Sequence, residues 1–190
     1  MMRDPEDILD ELLVLRSQDG EKRAWRNLVR RWNPRFLAHA QRVTGRAEVA
    51  ADVTQEAWLA MIRGIGGLED PARFRSWAFR ILANKIADWA RRKKIEPVTV
   101  DHDHVLADQE DEQSSADERA HAERLKQLRK AIRQLPDEKR ALLTMVYLED
   151  MSLAEAALAL GIPEGTVKSR LFHLRQDLRE KLESLEHAGH

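Results

Sequence analysis

Met151-Ser152-Leu153-Ala154-Glu155-Ala156-Ala157-Leu158-Ala159-Leu160-Gly161-Ile162-Pro163-Glu164-Gly165-Thr166-Val167-Lys168-Ser169-Arg170-Leu171 decides how the second half of this chain folds. Ser152 followed by Glu155 is a capping box, in which hydroxyl and carboxylate each satisfy a free backbone N–H at a helix start. The short helix it opens, carrying Leu153, Ala156, Ala157 and Leu160, stops at Gly161. Pro163 starts a second helix whose stripe Val167, Leu171, Leu174, Leu178 and Leu182 is spaced 4, 3, 4 and 4. Helix, glycine turn, helix is the helix-turn-helix arrangement, whose second helix lies in the major groove of DNA. With the stripe inward, Lys168, Ser169, Phe172, His173 and Gln176 project outward. Lysine pairs with guanine edges and a phenylalanine ring meets a thymine methyl. Arg170 and Arg175 are placed for phosphates, as are the backbone N–H groups of the turn reaching Thr166. An ordinary helical hairpin with a charged outer face carries the same pattern.

Upstream, Leu125, Leu128, Ile132 and Leu135 have helical spacing, and Pro136-Asp137 starts a helix through Leu142, Leu143, Val146 and Tyr147. The first half is helical too. An acidic helix near 5–16 carries Ile8, Leu12 and Leu15; Trp25, Leu28, Val29 and Trp32 fall on one helix face. Pro34 predicts a new helix with Phe36, Leu37, Ala40 and Val43, closed by Gly45. A third, 47–63, has Val49, Val53, Ala57, Trp58, Met61 and Ile62 as its apolar side. After a glycine loop reaching Pro71, a fourth, about 72–93, buries Phe74, Ala78, Ile81, Leu82 and Trp89. Strand-period segments are absent, so the fold class is all-α.

Charge divides the chain. Residues 1–20 hold 2 basic and 6 acidic side chains; 21–95 hold 17 and 7, a net of +10; 96–123 hold 1 and 10, a net of −9; 124–190 hold 12 and 10. The total of −1 conceals this. A basic block of such density faces a polyanion or forms a solvated helical surface. The acidic stretch has few large apolar residues and reads as a flexible linker between two small helical domains, 1–95 and 124–185. With 190 residues and no cysteine, disulfides, thiol catalysis and thiolate zinc sites are excluded. No apolar run approaches the ~20 residues needed to cross a bilayer, and the acidic start is not a signal peptide. A soluble, cytoplasmic protein is expected.

Leu135-Pro136-Asp137-Glu138-Lys139-Arg140, with Met151 to Ala157 and Gly165 to Leu171, resembles region 4 of bacterial sigma factors of the extracytoplasmic-function group, although response-regulator domains share much of it. Asp52-Val53-Thr54-Gln55-Glu56-Ala57-Trp58-Leu59 resembles their region 2.2, and Phe74 to Asn84 with Asp88 to Lys94 their regions 2.3 and 2.4. The resemblance covers about 20–95 and 124–183, in order. It implies that 1–95 binds core RNA polymerase and reads and melts the −10 element, while 124–185 reads the −35 element and docks on the polymerase flap. It implies clamp binding by Asp52, Gln55, Glu56 and Trp58. It further implies DNA binding by Arg75, Arg80, Asn84, Lys85, Asp88, Arg91 and Arg92, and by Thr166, Lys168, Ser169, Arg170, Phe172, His173 and Arg175. Departures are Trp58 for phenylalanine, and Lys168 and His173 where arginine is common. An anti-sigma partner covering both domains is implied as well.

Alternatives stay open at several residues. Asp52 and Glu56 on one helix face suggest an acid/base pair or metal site, yet no histidine, third carboxylate or phosphate loop accompanies them. No catalysis, cofactor, resident metal, membrane insertion or small-molecule substrate is expected. Trp77 reads as core. Asn84, whose amide matches a base edge, is placed in a pocket against the 66–71 loop, or else caps a backbone group. Asp101-His102-Asp103-His104 is the seed of a metal-sensor reading, short of four ligands on fixed elements. A stand-alone helix-turn-helix regulator and a sigma-like decoy for an anti-sigma protein are the two remaining rivals.

Overall fold

Pro34 does not open a helix. It lies inside one, α2, running from Lys22 to Thr44. A mid-helix proline removes a hydrogen bond and crowds the carbonyl four residues back. Burial outweighs that here, because Leu28, Trp32, Phe36, His39, Ala40 and Val43 form one buried row through the proline. Trp32 stacks on Phe36 across it, centroids 5.6 Å apart.

This computed structural model describes residues 4–95 and 116–188. Among them every regular element is a helix. In the first half α1 (Pro5–Gln18), capped by Asp4, precedes α2; α3 (Ala47–Gly64) and α4 (Phe74–Ile95) follow, joined through single 3-10 turns at Ile65–Gly67 and Pro71–Arg73. The second half holds α5 (Ala116–Arg133), α6 (Asp137–Tyr147), α7 (Leu153–Leu160) and α8 (Glu164–Ala188). α5 begins inside the 96–123 stretch read as linker. Its first residues form helix well but carry no apolar stripe, so periodicity passes over them. The Asp101 to His104 segment lies outside the described residues.

Phe36 is the hub of the first core, with Trp58 at 5.3 Å and Phe79 edge-on at 5.2 Å. A Cβ at Gly64 would stand 3.3 Å from the Trp77 ring, so glycine there lets the indole lie against the end of α3. Trp77 is thus a packing residue, half-buried against this core. Three apolar expectations change. α1 turns Leu13 and Val14 inward and leaves Ile8, Leu12 and Leu15 exposed. Ile62 is exposed on α3, and α4 buries Phe79 and Ile86 in place of Ile81 and Trp89, which are half-buried.

In the second half Val167, Leu171, Leu174 and Leu178 are buried against α5, α6 and α7, as the stripe predicts. Ser152 and Glu155 form the capping box, and Gly161 ends α7 at φ 66°, a left-handed value that glycine adopts without strain. The two halves pack together. α2 touches α6, and α4 lies along α7. Ala141, Met145, Met151 and Ala159 share one buried cluster with Phe36, Val43 and Phe79.

Candidate nucleic-acid and protein interfaces

On α3, Asp52 and Gln55 are exposed and Glu56 is half-buried, three neighbours on one helix face. Glu56 Oε2 lies 3.3 Å from Lys85 Nζ, and its Oε1 lies 3.9 Å from Arg92 Nη2. The face continues into Leu59 and Ile62, about half exposed each, which sequence reading had missed as surface residues. Their spacing, four and seven residues beyond Gln55, was the available signal. Trp58 does not belong to this face. It is 8% exposed, meets Trp25 edge-on and donates its indole N–H to Asn33 Oδ1 at 2.9 Å. So large a ring packs into the core, and its contacts tie α3 to α2.

α4 divides its cations. Arg80, Asn84 and Arg91 are exposed and, at spacings of four and seven, share one side of the helix. Arg91 pairs with Asp88 one turn back. Lys85 and Arg92 lean toward Glu56 instead. Arg75 points away from this side, toward α7, with its Nη1 3.8 Å from Glu155 Oε1. Asn84 caps nothing, since its amide has no hydrogen-bond partner among the described residues. The 66–71 loop leads into α4 at Phe74, and Asn84 follows ten helical residues later, a rise of about 15 Å along the axis. What pins the loop is Gln18, unforeseen in the sequence, donating to the carbonyls of Ile65 at 2.9 Å and Leu68 at 2.7 Å.

The α8 surface presents Lys168, Ser169, Arg170, Phe172 and His173 to solvent. Phe172 is 63% exposed, far more than packing would leave a phenylalanine, and meets the His173 ring edge-on at 5.5 Å. Thr166 is half-buried and accepts from the Ser169 hydroxyl. Arg175 lies over the Tyr147 ring and donates to its hydroxyl. Lys139 donates to Asp177 at 2.6 Å, tying α6 to α8 and holding that carboxyl below its usual range. Among the described residues no group of three His, Cys, Asp or Glu side chains could hold a metal ion. No helix there is long and apolar enough to cross a membrane.

The geometry agrees with the comparisons. Residues 28–95 match the family model for sigma-70 region 2, and 125–178 that for sigma-70 region 4. The RNA polymerase sigma-H factor of Pseudomonas aeruginosa is 31% identical over 187 residues, covering 93% of this chain and 95% of that one. The ECF RNA polymerase sigma factor SigE of Mycolicibacterium smegmatis is 34% identical over 163 residues, 84% of this chain, which spans 62% of that relative's length. The structure of CnrH in complex with the cytosolic domain of CnrY covers 93% of this chain and 98% of its own, with TM-score 0.66 and 26% identity.

Proposed function

Because this chain belongs to the sigma-70 family, in the extracytoplasmic-function group of RNA polymerase sigma factors, we infer that it binds core RNA polymerase in the cytoplasm and directs promoter-specific transcription initiation. It acts by binding and catalyses nothing. The observation that carries this reading is the row Asp52, Gln55 and Glu56 on one face of α3, the first two exposed and the third half-buried, in one chain with a solvent-facing reading helix. The row supports docking on the polymerase clamp coiled coil, and Leu59 and Ile62 extend it with apolar surface. The second half docks on the flap and reads the −35 element through Lys168, Ser169, Phe172 and His173. Arg80, Asn84 and Arg91 take the melted −10 strand. An anti-sigma protein is the third partner, in keeping with CnrH held by the cytosolic domain of CnrY.

Transcription in vitro with core polymerase on a promoter library tests the whole. Transcripts should appear only with both proteins present and from a narrow set of promoters. Sequence-specific promoter binding without polymerase would instead favour a stand-alone regulator.

Two narrower results follow. Lys168→Ala and His173→Ala should relax preference at single bases of the −35 element by about 1–3 kcal/mol each. Arg170→Ala should weaken every promoter alike and flatten the salt dependence. Titration of a set of single-base promoter variants separates the two behaviours, and uniform losses for Lys168 and His173 would make them phosphate contacts. Asn84→Ala should keep the melting temperature, since its side chain is exposed and has no hydrogen-bond partner among the described residues, yet lose selectivity for one base on a pre-melted promoter. A lowered melting temperature with unaltered base preference would make Asn84 structural.

A further inference from the structure

Tyr147, the last residue of α6, belongs by spacing to the apolar run of that helix, yet it is 44% exposed. The guanidinium of Arg175, on α8, lies over its ring with the central carbon 5.6 Å from the centroid, and Arg175 Nε donates to its hydroxyl. A cation–π contact and a hydrogen bond thus hold one long, flexible side chain in a single pose. The acidic side chain nearest to Arg175 along α8, Asp177, is engaged by Lys139 at 2.6 Å.

The pair leaves donors unused. A phenol hydroxyl both accepts and donates; that of Tyr147 accepts from Arg175, and its own proton has no acceptor among the described residues. The Nη groups of Arg175 have no partner there either. Arg175 follows Lys168 by seven residues and Phe172 by three, so the three share one exposed side of α8. Bases are read by the N-terminal residues of a recognition helix. Arg175 lies beyond Lys168 to His173, eleven residues or about 16 Å from the start of α8. A site offering only donors, one of them a guanidinium, suits the oxygens of a phosphate.

We propose that Tyr147 and Arg175 form a seat for one backbone phosphate of the −35 duplex, the phenol O–H and the Nη groups donating to its oxygens. The seat rests on the initiation reading and adds to it a DNA contact from α6, outside the two helices of the helix-turn-helix. Because the arginine is already held in place, little of its freedom is lost on binding, and the contact adds affinity without base preference.

The test uses polymerase holoenzyme assembled with the full chain, on a promoter duplex taken from the library transcription. Its −35 phosphates are replaced one at a time by neutral methylphosphonate. One position should weaken binding of the parent about tenfold and that of Arg175→Ala less than twofold. Arg175→Ala should also lower the salt slope by about 1. Tyr147→Phe keeps the ring under the guanidinium and loses the hydroxyl. It should weaken every promoter about tenfold with melting temperature and salt slope unchanged, since no charge is removed. Arg175→Lys keeps the charge without the planar fork, so it should restore the slope but not the affinity. Should Tyr147→Phe be destabilised, the two Arg175 variants, at an exposed position, carry the test. Folded Tyr147→Phe that binds within twofold of the parent, or loses affinity at one base pair only, overturns the seat. So does a scan in which Arg175→Ala feels every phosphate that the parent feels. A parent that forms no promoter complex with core polymerase overturns the initiation reading and the seat with it, whereas a normal complex with no such phosphate overturns the seat alone.

Discussion

Lowering the pH from 7 to 4 should remove about 3 kcal/mol of folding stability through a single side chain, His39. The imidazole is fully buried on α2, edge-on to Phe79 at 5.1 Å, and neither ring nitrogen has a hydrogen-bond partner. Burial, helped by nearby Arg42, lowers its pKa from 6.5 to about 3. The folded chain therefore takes this proton only near pH 3, whereas the unfolded chain takes it at 6.5. Stability is complete above 6.5 and drains away as the pH falls toward 3, at about 1.4 kcal/mol per pH unit. Glu149 works in the opposite sense, because its raised carboxyl pKa makes protonation favourable in the folded state. Comparing the urea midpoint of the parent with that of His39→Leu between pH 7 and 4 isolates the histidine. The variant should show a much shallower loss, and parallel curves would mean that His39 titrates normally.

Replacing Asp52, Gln55 and Glu56 together by alanine should weaken core polymerase binding at least a hundredfold, about 3 kcal/mol. A few side chains usually dominate such an interface, at about 2 kcal/mol or more each. The fold should hardly notice. Asp52 and Gln55 are exposed, and the Glu56 pairs with Lys85 and Arg92 are solvent-accessible contacts worth roughly 0–1 kcal/mol. Binding measured by competition against labelled parent, with the melting temperature as control, separates the effects. Affinity within twofold of the parent, in a folded variant, would remove this face from the polymerase contact.

The second half was legible almost residue by residue. The capping box, the Gly161 stop and the Val167 to Leu178 stripe are local features, and each appears where its spacing puts it. The first half was harder wherever an answer depended on a distant neighbour. α1 carries apolar residues on both sides, and the positions of α2 and of the two 3-10 turns select Leu13 and Val14 over Ile8, Leu12 and Leu15. Pro34 obeys its local preference until the aromatic cluster around Phe36 outweighs it. Within the candidate sites, the carboxylate face of α3 and the exposed side of α8 could be read directly from helical spacing. Trp58 could not, because burial in the core and contact with a partner favour the same large ring. Arg75 could not either, since Glu155 lies 80 residues away along the chain and their meeting is a property of the packed halves.

The buried cluster that crosses those halves bears on how new specificities arise. On the proposed reading, exchanging the second half between relatives looks like a modular route to a different −35 preference. In this protein a transplanted half would also bring a foreign surface against α4, where Ala159 is 1% exposed and Met151 2%. A bulkier residue at either place forces the packed helices apart, typically at about 1–3 kcal/mol. A chimera must therefore match the volumes at Met145, Met151 and Ala159 to Phe79 and Val43, although none of these five is placed to touch DNA.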